Sequence, residues 1–137
     1  MTLMSVIDAS VAVDALVGVG AHGEHAREEL RGRSTLEVPA IFGAEAASAL
    51  RGLVGRGELS SIRAVAALDQ LRRVRTVQYP FEPFAKRAWE LRNNLTIYDA
   101  WYVALAEWLG QDLVTADVAM ANASGPRCLI RGPGGAT

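Results

Sequence analysis

The chain has 137 residues, half of them hydrophobic, with 14 basic and 15 acidic side chains and a formal net charge of −1. That length suits one compact domain that buries roughly two thirds of its unfolded surface, which excludes a disordered chain and a staple-dependent miniprotein. The near-zero charge excludes a globally basic nucleic-acid binder, and no apolar run reaches the ~18 residues of a membrane helix.

In chain order, Ser5, Val6, Ile7 and Asp8 read as a short strand. Residues 9–17 form a helix, with Val13, Leu16 and Val17 at helical spacing. A polar helix carrying Glu24, Glu28 and Glu29 spans 22–31. Residues 36–39 read as a strand stopped by Pro39. A long helix then runs from 40 to 54, closed by Gly55 and Gly57. Ser60 or Ser61 caps the next helix, whose stripe is Ile62, Val65, Leu68 and Leu71. Residues 74–80 alternate as a strand ended by Pro80, and Phe84, Ala88, Trp89 and Leu91 stripe a helix to Asn93 and Asn94. Thr96 and Asp99 have capping-box spacing for a helix to Leu109 and Gly110. A strand at 112–115, a short helix at 116–122 and a strand at 128–130 follow. Residues 1–131 read as one domain and 132–137, which lack a core-forming residue, as a flexible tail.

Short apolar strands alternating with helices predict an α/β sandwich around a mainly parallel sheet. Ligands in such sheets sit at the carboxyl ends of the strands, where Asp8 and Asp117 fall. Four acids stand where acids are out of keeping. Asp8 ends an apolar strand, and Glu45 is the only charge between Pro39 and Arg51. Asp99 lies in an aromatic-rich stretch, and Asp117 closes Leu113-Val114-Thr115-Ala116. Each has a structural alternative as a helix cap or a solvated residue. Burying a carboxylate alone costs several kcal/mol, and if all four converge the natural neutraliser is a hard divalent cation. Tyr98, Trp101, Tyr102, Leu105, Trp108 and Leu109 read as core rather than as a platform for bases. Asp14 and Asp112 read as solvated.

Other chemistries fit worse. His22 and His25 lie on a polar helix, so a zinc site with Cys128 is disfavoured. There is no phosphate loop of the Gly-x-x-x-x-Gly-Lys-Ser/Thr type and no placed histidine for a nucleophilic triad. The lone cysteine cannot close an intrachain disulfide, and the N-terminus lacks a basic segment ahead of its apolar residues. A cytoplasmic location is therefore the expectation.

Val6-Ile7-Asp8-Ala9-Ser10, Glu45 in its alanine-rich helix, Tyr98-Asp99-Ala100-Trp101-Tyr102-Val103-Ala104-Leu105-Ala106 and Leu113-Val114-Thr115-Ala116-Asp117 together resemble the PIN-domain ribonucleases, in particular the VapC-type toxins. The resemblance implies a PIN-like three-layer α/β/α sandwich and an endoribonuclease dependent on Mg²⁺ or Mn²⁺. Asp8, Glu45, Asp99 and Asp117 would be its catalytic and metal-holding acids, with Ser10 and Thr115 in support. It also implies a homodimer inhibited by a small antitoxin protein. A DNA nuclease, or a non-catalytic relative whose acidic pocket docks a basic antitoxin segment, stand as alternatives.

Overall fold

The computed structural model describes residues 4–135. Among the described residues there are five strands: β1 (Ser5–Ile7), β2 (Leu36–Pro39), β3 (Thr76–Tyr79), β4 (Asp112–Val114) and β5 (Ile130–Arg131). All pairings are parallel: β4 lies between β1 and β5, and β2 pairs with β3. β1 and β2 lie side by side without a ladder between them. The central strands are short, and Val6 and Ile7 of β1 and Leu113 and Val114 of β4 are fully buried, as a sheet covered on both faces requires.

Seven α-helices among the described residues surround the strands: α1 (Ala9–Val17), α2 (Gly20–Leu30), α3 (Phe42–Gly55), α4 (Ser61–Arg73), α5 (Ala85–Glu90), α6 (Ile97–Leu109) and α7 (Val118–Ala121). One group is built around α1, which packs on α2, α3 and α4. The other is α6, which lies over β1, β2 and β4 with α5 beside it. The fold is the three-layer α/β/α arrangement expected from the sequence. The central helix α6 is buried from Ala100 to Ala106, which explains why its sequence is almost wholly apolar. Ser60 and Thr96 are true N-caps: their hydroxyls accept the backbone N–H of Arg63 at 3.2 Å and of Asp99 at 3.1 Å. Gly110 ends α6 in the left-handed region at φ 67°, a conformation that favours glycine.

The structure departs from the sequence reading in four places. The predicted helix over 84–94 is broken into a 3-10 turn at Glu82–Phe84, the short α5, and a turn through 91–94. In α4, Ala67 and Leu71 face the core, whereas Ile62, Val65 and Leu68 are exposed. The helical period is right, but part of the apolar stripe points away from the body. Likewise Trp101, Tyr102 and Leu105 are core, but Tyr98 and Trp108 are more than half exposed. Residues 132–135, read as the start of a flexible tail, lie against α2: Pro133–Gly135 forms a 3-10 turn, and Gly134 N–H points to Glu29 Oε2 at 3.4 Å. Positions 136 and 137 of that tail lie outside the described residues.

Candidate active site

The parallel register of β1 and β4 builds the centre of the site. Ser5, Val6 and Ile7 pair with Asp112, Leu113 and Val114, and the ladder continues as Asp8 N–H donates to Val114 O at 2.9 Å. Asp8 is thereby set beside Thr115, as each chain leaves the sheet. Ser10 Oγ donates to Asp8 Oδ2 at 2.7 Å and Thr115 Oγ1 donates to the same oxygen at 2.8 Å. The two hydroxyls in turn accept the backbone N–H of Ala116 and of Asp117, each at 3.1 Å. Each hydroxyl proton is thus committed to Asp8, which leaves Oδ1 free of hydroxyl partners. Asp8 occupies the N-cap position of α1 but its side chain makes no cap bond, so capping does not explain it.

The remaining acids arrive from three other elements. Glu45 sits one turn into α3, after β2. Asp99 is at the third position of α6. Its N–H is held by Thr96, but its carboxylate returns no bond, so only half of a capping box forms. Asp117 caps α7, with Oδ1 accepting from Ala119 N–H at 2.9 Å and Met120 N–H at 3.2 Å. For Asp117 the structural role is real, and Oδ2 is left over.

The charges of these acids reach one another: Asp117 acts on Asp8 and Asp99, and Asp8 acts on Glu45 and Asp99. Asp8, 8% exposed, is raised above the usual carboxylate range by burial, against which the Ser10 and Thr115 hydrogen bonds act, with Asp117 adding repulsion. Glu45 is raised by burial and by the charges of Asp8 and Asp99. Burial also raises Asp99, with Asp8 and Asp117 adding to it. No lysine or arginine forms an ion pair with any of the four among the described residues. Glu45 Oε1 and Tyr102 Oη are both buried and face each other, yet neither reaches hydrogen-bonding geometry with any partner. Burial, then the Glu45 and Asp8 charges, drives the Tyr102 phenol strongly upward, so it stays protonated.

These observations bear on whether a cation fits. The donor set is all oxygen, the chemistry that hard divalent ions take. The acids do not form a ready-made cage: among the described residues no three His, Cys, Asp or Glu side chains are gathered at metal-holding spacing. An ion would therefore bind through some of them directly and through water to the others, as Mg²⁺ commonly does.

Two open hollows flank the acids. One, of about 390 Å³, is lined by Ser10, Asp14, Ser48, Gly52, Arg56 and Ala116. The other, of about 260 Å³, is lined by Thr115, Asp117, Val118, Asn122, His22 and His25. Sequence reasoning missed this second group. His22 and His25 read as solvated on a polar helix, and only the packing of α2 brings them to the site. Asp14 was missed too; it is half-buried and raised by desolvation, with His22 opposing the shift. Of the central arginines, Arg56, Arg72, Arg73 and Arg87 pair with nearby acids, and Arg92 lies 4.6 Å over the Trp89 ring.

Comparison with known proteins now decides the family. The PIN domain family matches residues 5–126. The chain belongs to the PIN-domain family. Its similarity extends to the VapC type. The chain is 42% identical over 127 residues to Ribonuclease VapC1 of Mycobacterium tuberculosis, covering 92% of this chain and 95% of that protein. It is 41% identical over 127 residues to the VapC ribonuclease Mb0985 of Mycobacterium bovis, covering 93% and 96%. The fold is also that of Mycobacterium tuberculosis VapC20, described as a toxin that cleaves the sarcin-ricin loop. That match has a TM-score of 0.64 and 14% identity, over 85% of this PIN domain and 92% of the other chain.

Proposed function

We propose that the chain is the toxin of a toxin–antitoxin pair, an endoribonuclease that hydrolyses RNA phosphodiester bonds with Mg²⁺ or Mn²⁺ held among Asp8, Glu45, Asp99 and Asp117. The ribonuclease relatives, similar over nearly the whole chain, support RNA as substrate. The observation that carries the metal reading is a set of carboxylates whose charges reach one another with no ion pair to a basic group among the described residues. A bound divalent ion would supply a more acidic water and offset negative charge on the phosphate oxygens.

The protein's own groups do the positioning. Ser10 and Thr115 lock Asp8 Oδ2, so Oδ1 is presented in one direction. The α7 cap fixes Asp117 Oδ1 and leaves Oδ2 for the site. Glu45, whose carboxyl is raised by burial and by the Asp8 and Asp99 charges, is the group that takes a proton from the attacking water. Arg56, at the rim of the hollow beside Ser10, supplies positive charge for the RNA backbone leaving the acids.

The setting and partners belong to the same proposal. No helix among the described residues is long and apolar enough to cross a membrane, and the chain acts in the cytoplasm, where its substrate is. A second copy and a small antitoxin protein cover exposed apolar side chains such as Ile62, Val65, Trp89 and Trp108. Light scattering at micromolar concentration reads the dimer directly, and a monomer there rejects it.

The deciding experiment is cleavage of total RNA with Mn²⁺, Mg²⁺ or EDTA, comparing wild type with Asp8→Ala and Asp99→Ala, with single-stranded DNA alongside. Discrete, metal-dependent RNA cleavage lost in both variants is expected. Cleavage that survives in both variants, or in EDTA, rejects the assigned site.

A further inference from the structure

The hollow of about 260 Å³ on the α7 side of the acids has a composition unlike the rest of the site. Its floor is shared with the acid cluster: Thr115 lines it, and Thr115 Oγ1 is hydrogen-bonded to Asp8. Its walls are Val118 and Ala121 from α7 and Pro133 from the chain end. Its polar groups are His22 and His25, one turn apart on α2, and Asn122 just past α7. None of these three side chains makes a hydrogen bond to the protein among the described residues. The imidazole of His25 is nonetheless seated: a Cβ placed on Gly134 would lie 3.3 Å from His25 Cγ, so the turn at Pro133–Gly135 lies directly against the ring.

What fits is decided by charge and size. No arginine or lysine lines the hollow, so nothing inside it forms the bidentate or ammonium contact that a phosphate takes. Small-molecule sites run from roughly 300 Å³ upward, so this one holds a single planar group rather than a length of chain. Aromatic faces, an apolar wall and one carboxamide are what an unpaired base uses, by stacking on histidine and by hydrogen bonding at its edge.

We propose that this hollow seats the unpaired base of a nucleotide next to the cleaved phosphodiester, with His22, His25 and Asn122 as specificity-determining residues. The inference rests on the ribonuclease reading and adds where sequence selectivity resides. A base lodged there places its own phosphate beside Asp8 and Asp117. A base within a duplex cannot enter, so substrates are cut in loops or single strands.

Two measurements test the proposal. Cleavage sites in total RNA are mapped, and short RNAs are made with each nucleotide beside the cleaved bond replaced in turn by an abasic one. They are cut by wild type, by Asn122→Ala and by the His22→Ala/His25→Ala double variant. These residues are exposed, and thermal melting checks that the variants fold. One abasic position should slow the wild type about tenfold, chiefly through KM, and should not slow the double variant further. Equal abasic penalties in wild type and double variant overturn the subsite. Separately, a random-sequence RNA pool carrying 4-thiouridine is photo-cross-linked to wild type in EDTA and the attached peptides are sequenced. Attachment within residues 20–34 or 115–123 supports the pocket even if no RNA is ever cut, an outcome that would sink the hydrolase and not the pocket. RNA cutting with every attachment elsewhere sinks the pocket and leaves the hydrolase standing.

Discussion

Glu29 on α2 meets Arg131 at 2.6 Å and Arg33 at 3.4 Å, with all three side chains mostly buried, while the charges of Asp8, Glu45, Asp99 and Asp117 reach one another with no ion pair to a basic group among the described residues. Asp8, Glu45 and Asp99 are shifted in the opposite direction to Glu29. Burial pushes Glu29 upward, but the Arg131 hydrogen bonds and charge, the Gly134 N–H and Arg33 more than offset it and hold it below the usual range. Glu107 behaves alike: burial is outweighed by Arg87, which grips both of its oxygens at 2.7 and 3.0 Å, and by the Arg127 N–H. In the acid cluster burial wins, because only hydroxyls and backbone N–H groups answer it. A buried carboxylate with its counter-charge inside the chain is there for the fold. One without it holds repulsion that a ligand can relieve, which marks a functional site.

The sharpest way to break this contrast is to neutralise one acid of the cluster. Asp99→Asn should lower RNA cleavage by on the order of 10³-fold, because a metal site contributes several kcal/mol of charge stabilisation and each ~1.4 kcal/mol is tenfold. The same variant should melt no lower than wild type in metal-free buffer, since a repelling charge has been removed. Single-turnover cleavage and thermal melting check the pair of outcomes. A lower melting temperature with normal cleavage would make Asp99 a structural residue.

The converse variant is Arg131→Met. It strands Glu29 with Arg33 alone and should cost about 3 kcal/mol, within the range for breaking a mostly buried pair, or a melting-temperature drop of about 10 °C. Cleavage per folded molecule should hold. A melting temperature within 2 °C of wild type, a margin on the order of ~0.5 kcal/mol, would show that the pair contributes little.

Between these extremes lies Thr115, which touches both Asp8 and the Asp117 backbone. Thr115→Val keeps the shape and removes the donor. It should reduce cleavage by about 10- to 100-fold, as loss of a group that orients a metal ligand does. Metal titration should show weaker binding in step. Unchanged metal affinity would remove Thr115 from the orienting role.

Much of this was legible in the sequence because the signals were local. Val6-Ile7-Asp8 and Leu113-Val114-Thr115 announced strands whose ends carry polar groups, and Thr96 with Asp99 announced a helix start. The parallel register then places Asp8 beside Thr115 without further information. What could not be read depends on which way a face turns. Ile62 and Val65 have the spacing of core residues, but Ala67 and Leu71 are the ones α4 turns inward. His22 and His25 sit on a helix with hardly any apolar stripe, so nothing in its pattern says that α2 borders the cluster. Tyr102 read correctly as core, yet its hydroxyl next to Glu45 follows only from how α3 and α6 cross.

The smallest expected effect is the dependence of stability on pH in the absence of metal. Asp8, Glu45 and Asp99 have raised folded-state pKa values, against ordinary values of 3.8 for aspartate and 4.5 for glutamate. A group raised on folding contributes stability below its unfolded pKa and loses it as pH climbs through the folded value. Glu29 and Glu107 are lowered, so their contribution is present above about 4.5 and fades as pH falls through their folded values. Metal-free wild type should therefore melt slightly higher near pH 5 than near pH 7, and Asp99→Asn should show a shallower fall across that interval. Adding Mn²⁺ at pH 7 should recover the loss in wild type, because a cation supplies the missing counter-charge, and should recover less in Asp99→Asn. A wild-type melting temperature that does not fall from pH 5 to 7 without metal would mean that the cluster acids lose no stability across that interval. The repulsion assigned to the cluster would then be too weak to mark it as a cation site.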